Sequence, residues 1–300
     1  MYVITGATGN TGRVLASELL RNGQRVRAIA RNADHLQQLA ANGAEPFVAD
    51  LADTATLAKA FAGAQAVYVI VPPDMTSPDY GAYQRRIVDS IVKALATAKV
   101  QYVVSLSSVG ADKPEKTGPV VGLHQLERQL NQIDGLNLLH LRAGYFMENT
   151  LELLGPIKAI EKAAGPLRPD LELPMIASRD IGAAAAEALL GLKFTGRNTR
   201  ELLGQRDISM AEATAIIGRA INKPLLEYVQ MPGEQVRAAM IQMGLSASLA
   251  DLILEMAAAL NSGIMRALES RSARNTTSTS YETFVAEEFV PRYQRRSAAG

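Results

Sequence analysis

The sequence predicts an α/β fold: a doubly wound parallel sheet with a smaller, helix-rich C-terminal lobe. Three observations carry this. From Tyr2 to Ala143, short apolar runs alternate with segments whose apolar residues recur at helical spacing. Residues 66–71 are apolar throughout except for one tyrosine hydroxyl, which suits a strand buried on both faces. Residues 2–12 join a strand pattern, three glycines and the start of a helical pattern without interruption.

That first stretch reads Tyr-Val-Ile-Thr-Gly-Ala-Thr-Gly-Asn-Thr-Gly. Gly6 permits a sharp exit from the strand. Gly9 lets the backbone approach a phosphate with no Cβ in the way, and Gly12 lets the helix pack closely. The N–H groups at the helix start, with the positive end of its dipole, suit an anion. The spacing G-x-x-G-x-x-G, in this context, predicts a dinucleotide-binding turn made by Gly6, Thr8, Gly9, Asn10, Thr11 and Gly12.

Residues 26–30 form the second strand, which ends at Arg31. In a dinucleotide fold this point lies beside the adenosine ribose, where an acid would bond the 2′-hydroxyl of NAD and repel a 2′-phosphate. Arg31-Asn32 stand there instead. A guanidinium can bond a phosphate bidentately, so NADP(H) is expected in preference to NAD(H). Arg25 and Arg27 nearby leave open that Arg31 is a solvated strand-end arginine. A helix over 33–42 stops at Gly43, and a third strand over 45–49 precedes Asp50-Leu51. Asp50 either meets an adenine amino group, with Leu51 beside it, or caps the helix over 54–61.

The fourth strand runs to Val71 and stops at Pro72-Pro73, a rigid pair that would wall the cofactor crevice. A loop over 74–83 carries Tyr80 and Tyr83 as candidate substrate-pocket residues, and a helix over 83–98 follows. The fifth strand, from Tyr102, ends at Ser107-Ser108-Val109-Gly110, with Ser107 assigned to the cofactor. Leu123, Leu126 and Leu130 mark the next helix, and residues 136–141 the sixth strand. The latter leads into Arg-Ala-Gly-Tyr-Phe-Met-Glu-Asn, residues 142–149. Tyr145 and Phe146 are placed to cover a flat ring, and Met147 and Asn149 to face a substrate.

The remaining elements are a helix over 150–164, a loop over 165–174 crossing the crevice, and a helix over 181–192 capped by Asp180. A strand over 199–203, a capping box at Ser209–Glu212 opening a helix to 222, and a strand over 225–230 follow. Residues 234–269 read as almost continuous helix broken at Gly244. Its Met240, Met243, Met256 and Met265 suit either an adaptable pocket or ordinary core. A polar loop over 271–280, over the site or mobile, precedes a terminal amphipathic helix over 281–293; the end, 294–300, is expected to fray. The cofactor-binding core is thus assigned to 1–150, with 175–205 returning to it, and the cap lobe to 151–174 and 206–300.

Composition narrows the function. Of 300 residues, 31 are Lys or Arg and 30 Asp or Glu; the net charge of +1 gives no basic stripe for nucleic acid. The absence of cysteine excludes disulfides and thiolate chemistry and fits a reducing, cytoplasmic setting. No run is long and apolar enough to span a membrane, no signal peptide precedes the first strand, and no metal-ligand cluster stands out. The sequon at Asn275 reads as chance. Oligomeric state is not legible.

Together, the Gly6–Gly12 motif, Arg31, the Ser107-Ser108 strand end, His124, residues 142–149 and Ser178-Arg179-Asp180-Ile181-Gly182 resemble the NmrA-like atypical short-chain dehydrogenases/reductases. The members that look nearest are bacterial quinone or azo-dye oxidoreductases and triphenylmethane reductases. The resemblance implies a Rossmann-type fold and NADPH-dependent hydride transfer to a small apolar conjugated or aromatic molecule. Ordinary short-chain dehydrogenases use a tyrosine with a lysine four residues on. Between Gly110 and Tyr145 this chain has no tyrosine. The corresponding position holds His124, with Arg128 four residues later where several relatives carry an acid. His124 could protonate a substrate, hydrogen-bond the substrate or cofactor ribose, or serve structure alone. An extended π-system accepts hydride without an obligatory acid, so the missing pair is compatible with a reductase but counts against an epimerase. The alternative is a non-catalytic NADP(H)-binding redox sensor that regulates a partner protein.

Overall fold

The computed structural model describes residues 1–295. Seven parallel strands form the central sheet, in the order β3-β2-β1-β4-β5-β6-β10. In chain order they are β1 (Tyr2–Ile4), β2 (Val26–Ala30), β3 (Glu45–Val48), β4 (Ala66–Val69), β5 (Tyr102–Ser108), β6 (Asn137–Ala143) and, after three strands of the lobe, β10 (Arg197–Leu202). The order reverses between β1 and β4, so the crevice where a ligand enters a doubly wound sheet opens at their carboxyl ends. Val3, Val67, Tyr68 and Val69 are fully buried, because helices cover both faces of a parallel sheet.

Those helices are α1 (Asn10–Arg21), α2 (Gln37–Ala41), α3 (Thr54–Phe61), α4 (Tyr80–Ala98) and α5 (Val120–Leu130). The lobe begins with β7 (Tyr145–Phe146), a 3-10 turn over Met147–Leu153, α6 (Leu154–Ile160), β8 (Ala163–Gly165) and β9 (Glu172–Ile176). Then α7 (Ser178–Gly191) packs along α1, and β10 joins the sheet edge beside β6. The chain continues through β11 (Asp207–Ser209), α8 (Met210–Ala220), β12 (Tyr228–Gln230), α9 (Gly233–Gln242) and α10 (Ala247–Asn261). It closes with α11 (Tyr281–Phe284), one π-helical turn and α12 (Val290–Gln294). No helix of the described residues is long and apolar enough to cross a membrane.

Several local expectations are corrected. Asp180 does not cap α7: it lies inside the first turn and accepts from the Thr279 N–H and hydroxyl, while Ser178 donates its N–H and hydroxyl to the Glu148 carboxylate. Asp50 is not the cap of α3 either, since Asp53 accepts from Ala55 and Thr56 N–H. The helix α4 starts at Tyr80, one turn early, because Asp79 caps it through Ala82 N–H. The expected helix over 150–164 is shorter, ending at Ile160, because Ala163–Gly165 pairs with β12. The helical run ends at Asn261 rather than 269. Residues 271–280 are not a mobile flap over the site: Asn275 is fully buried, and Leu203 donates to its carbonyl at 2.8 Å. That burial also removes its sequon from the folded surface. Ser209 does cap α8, but the Glu212 carboxylate of the expected box is taken by Arg206. The fraying expected of the end falls on Gln294 and Arg295 and on 296–300, the last of which lie outside the described residues.

Candidate functional site

The glycine turn is shaped by what its side-chain-free positions touch. At Gly6 φ is +60°, and a Cβ would stand 2.1 Å from Ile70 Cδ1. At Gly12 a Cβ would stand 2.3 Å from the Gly6 carbonyl oxygen, so this glycine closes the turn on itself rather than on the sheet. At Gly9 the nearest atom would be 3.3 Å away, again the Gly6 oxygen, and the outer side is open. No side chain caps α1, whose first turn carries no acid, so its leading N–H groups point into the crevice without partners from a cap. Thr8 and Asn10 are exposed beside them, whereas Thr11 is turned inward, its hydroxyl accepting from Tyr68 at 3.1 Å.

The neighbouring strand ends bring other expected residues to the same rim. Arg31 is exposed past β2, near enough to Asp74 to help the Thr76 N–H and hydroxyl hold that carboxyl below its usual range. Asp50 is exposed past β3 and accepts from Ala52 N–H at 2.9 Å, with Leu51 buried beneath. Val71 and Pro72 are half-buried and Pro73 exposed; the Tyr83 hydroxyl donates to the Pro72 carbonyl at 2.9 Å. Tyr80 and Tyr83 are buried in the first turns of α4, their rings 5.9 Å apart. Tyr83 braces the diproline, and neither ring is among those lining the cavity at the ends of β5 and β6.

A cavity of about 350 Å³ lies at the carboxyl ends of β5 and β6, on the same edge of the sheet as the glycine turn. Tyr145, Phe146 and Asn149 line it, but Met147, 1% exposed, belongs to the core of the lobe. Of the expected serine pair, Ser108 faces the cavity, while Ser107 is buried and donates to Glu127 at 2.5 Å. The far wall comes from Leu171 and Leu173, in the segment expected to cross the crevice, from Met256 and Met265, left open between pocket and core, and from Leu260 and Arg266, which sequence reasoning missed. Two of the four methionines are there; Met240 is core and Met243 is exposed. A larger groove of about 660 Å³ lies at the amino end of β5, but it is a wide surface depression at the end of the sheet opposite the crevice.

His124 is half-buried on α5, its Nδ1 2.8 Å from the Ala111 carbonyl oxygen. A carbonyl only accepts, so Nδ1 carries a hydrogen and Nε2 is the nitrogen left for other partners. Arg128 does not join it: it is exposed beside Arg85 and Asp89. The buried acid of this helix is Glu127, missed from sequence, which takes two bonds from Arg142 at 2.9 and 2.6 Å. An arginine at the end of an apolar strand demands such a carboxylate, and that was the available signal. Burial pulls the Glu127 carboxyl up, but the Arg142 bonds and the Ser107 hydroxyl outweigh it and hold the group below its usual range. Burial also pushes the Tyr145 phenol up, the opposite of the shift a proton-transferring tyrosine needs.

One row deeper, His140 sits between Ser105 Oγ at 2.7 Å and Asn131 Oδ1 at 3.3 Å, and burial pushes its imidazole down to about 4. An unfolded histidine titrates near 6.5, so between those values the unfolded chain binds the extra proton, and stability falls as pH drops from about 6.5 to about 4. The loss should approach roughly 3 kcal/mol. Urea midpoints at pH 7 and pH 5 should differ clearly for the native chain and much less for His140→Gln; equal differences would contradict the assignment.

Comparison with known proteins is consistent across the chain. An NAD(P)H azoreductase of Xenophilus azovorans is 29% identical over 258 residues, spanning 85% of this chain and 86% of that one. The NADPH-dependent quinone oxidoreductase QOR2 of Escherichia coli superimposes with a TM-score of 0.79 at 23% identity, covering 96% of this chain and all of its own. The triphenylmethane reductase of Citrobacter sp., solved with NADP(H), gives 0.78 at 20% identity, covering 94% and 98%. The sequence profile of the NmrA-like family matches residues 2–290, and the chain belongs to that family.

Proposed function

We propose that this protein is an NADPH-dependent reductase of a small, apolar, conjugated or aromatic acceptor such as a quinone, azo compound or imine. The observation that carries the reading is a pairing at one edge of the sheet: an uncapped helix start behind a glycine turn, and a largely apolar cavity at the carboxyl ends of β5 and β6. The residues fit the cofactor, because a Cβ has no room at Gly6 or Gly12 and the front of Gly9 is open. The turn 6–12 would hold a pyrophosphate, Asp50 and Leu51 the adenine, Arg31 a 2′-phosphate, and Val71, Pro72 and Pro73 the wall. Tyr145 and Phe146, with Ser108 rather than the buried Ser107, would close the other end. Residues 1–150 and 175–205 make the cofactor half in this reading, and 151–174 and 206–300 the acceptor half. The azoreductase and quinone oxidoreductase among its likenesses support the choice of acceptor class.

Bound reduced nicotinamide supplies a hydride; the protein supplies orientation and exclusion of water. His124 is not among the residues that line the cavity, but the Ala111 bond leaves its Nε2 available to an acceptor held near α5. It can donate a proton from there only as the imidazolium, because Nδ1 already serves Ala111. NADPH oxidation across a panel of quinones, azo dyes and imines tests the reading. Turnover of at least one class is expected, and His124→Ala should lower kcat by about 10- to 100-fold if the imidazole is the acid. Tight NADPH binding with no turnover on any acceptor would favour the sensor instead.

A further inference from the structure

Downstream of α10 the chain turns back across the cavity as a strap, residues 262–270. Two features fix how deeply it sits. Met265, 5% exposed, lies against the end of β5: a Cβ on Gly110 would be 2.8 Å from both its Cε and its Cγ. Three residues on, the backbone is held by Glu201 of β10, itself 2% exposed. Leu268 N–H donates to both of its carboxylate oxygens at 3.0 Å, and Glu269 N–H donates to Oε2 at 2.8 Å.

A buried carboxylate is costly unless compensated. Glu201 is the register partner of Arg142, as Arg142 is of Ser107, so one row crosses the carboxyl ends of β5, β6 and β10. Arg142 in turn bonds Glu127. The row therefore places opposite charges side by side beneath the cavity and ends on the strap. Beyond it, Arg271 donates to the Gly204 carbonyl at 2.6 Å, and Leu203 donates to the Asn275 carbonyl. The strap is thus tied to the sheet edge on its C-terminal side, and Glu201 is the tie nearest the cavity.

We propose that Glu201 is a positioning residue for the acceptor: its carboxylate clamps the strap so that Met265 forms one wall of the cavity and sets the width of ring system that enters. The proposal rests on the reductase reading above for its substrate, but the clamp itself is tested without turnover. In Glu201→Ala, amide exchange at Leu268 and Glu269 should rise at least about tenfold. NADPH affinity should stay within about twofold, and KM for menadione should rise about tenfold with kcat changed less, because the clamp lies on the acceptor side. Glu201→Gln retains an acceptor oxygen and should restore much of both effects. Met265→Ala, with the clamp intact, should leave exchange unaltered while shifting the kcat/KM ratio of menadione to 1,4-benzoquinone at least about fivefold.

Unchanged exchange in Glu201→Ala, or freed amides with an unchanged KM, would overturn the proposal. Should Glu201→Ala fail to fold, Met265→Ala decides: an unchanged ratio rejects Met265 as the wall. If the native chain turns over no acceptor, the reductase reading fails, and dissociation constants for the two quinones replace KM in the same comparison.

Discussion

Gly9→Val should abolish dinucleotide binding while the chain stays folded. Gly9 has φ −77° and ψ 174°, an extended conformation open to any residue, and its outer side is exposed. A Cβ there meets only the Gly6 carbonyl oxygen, at 3.3 Å, a tight contact that a shift of a few tenths of an ångström relieves, while the side chain fills the space a phosphate must enter to reach the N–H groups of α1. A loss of at least about 100-fold in affinity for both NADPH and NADH is expected, from several charge-assisted hydrogen bonds removed at once. The melting temperature should move by no more than about 3 °C. Fluorescence titration with each cofactor, beside a thermal melt, measures both; retained affinity would mean that the turn does not hold the phosphates. Gly12→Ala makes the contrast, because its Cβ would meet the Gly6 oxygen at 2.3 Å and backbone must shift, so stability should fall with binding.

The second large effect is a change of cofactor preference. Arg31→Asp removes the one guanidinium expected at a 2′-phosphate and puts a like charge in its place. NADPH binding should weaken by roughly 100-fold, the scale of a lost charge-assisted pair plus repulsion. NADH binding should change by less than about threefold, because a new acid at this strand end can bond the ribose 2′-hydroxyl. Equal losses for the two cofactors would remove the NADP(H) preference. Asp74 sharpens the expectation: its carboxylate already lies within the field of Arg31, so the variant sets two acids side by side and should weaken NADPH further at low salt.

The order of strands and helices through residue 143 was legible because each element repeats a local rule. Val67 and Val69 lie in a run with no polar break, and Leu123, Leu126 and Leu130 share a helix face. Caps were less legible. Asp50, Asp53, Asp79 and Asp180 are all short acids near helix starts, and only backbone geometry decides which reaches an N–H; for α7 the acceptor is Glu148, thirty residues earlier in the chain. Partners across the sheet were invisible for the same reason. His124 and Arg128 are four apart and looked like a pair. Yet Arg128 is exposed, and the acid that organises this helix, Glu127, meets Arg142 from another strand.

By itself, then, the sequence determined the doubly wound sheet, the glycine turn and Arg31 at the rim, because these depend on residues adjacent in the chain and on backbone rules that act locally. Tertiary structure alone decided that Thr11, Met147, Tyr80 and Tyr83 turn away from the cavity, and that Met256 and Met265 enter it. It also decided that a buried carboxylate on β10 holds the strap that closes the wall. Such outcomes follow from burial: a charge or an apolar side chain is driven to whichever distant partner folding brings within reach, and no spacing in the chain encodes that distance.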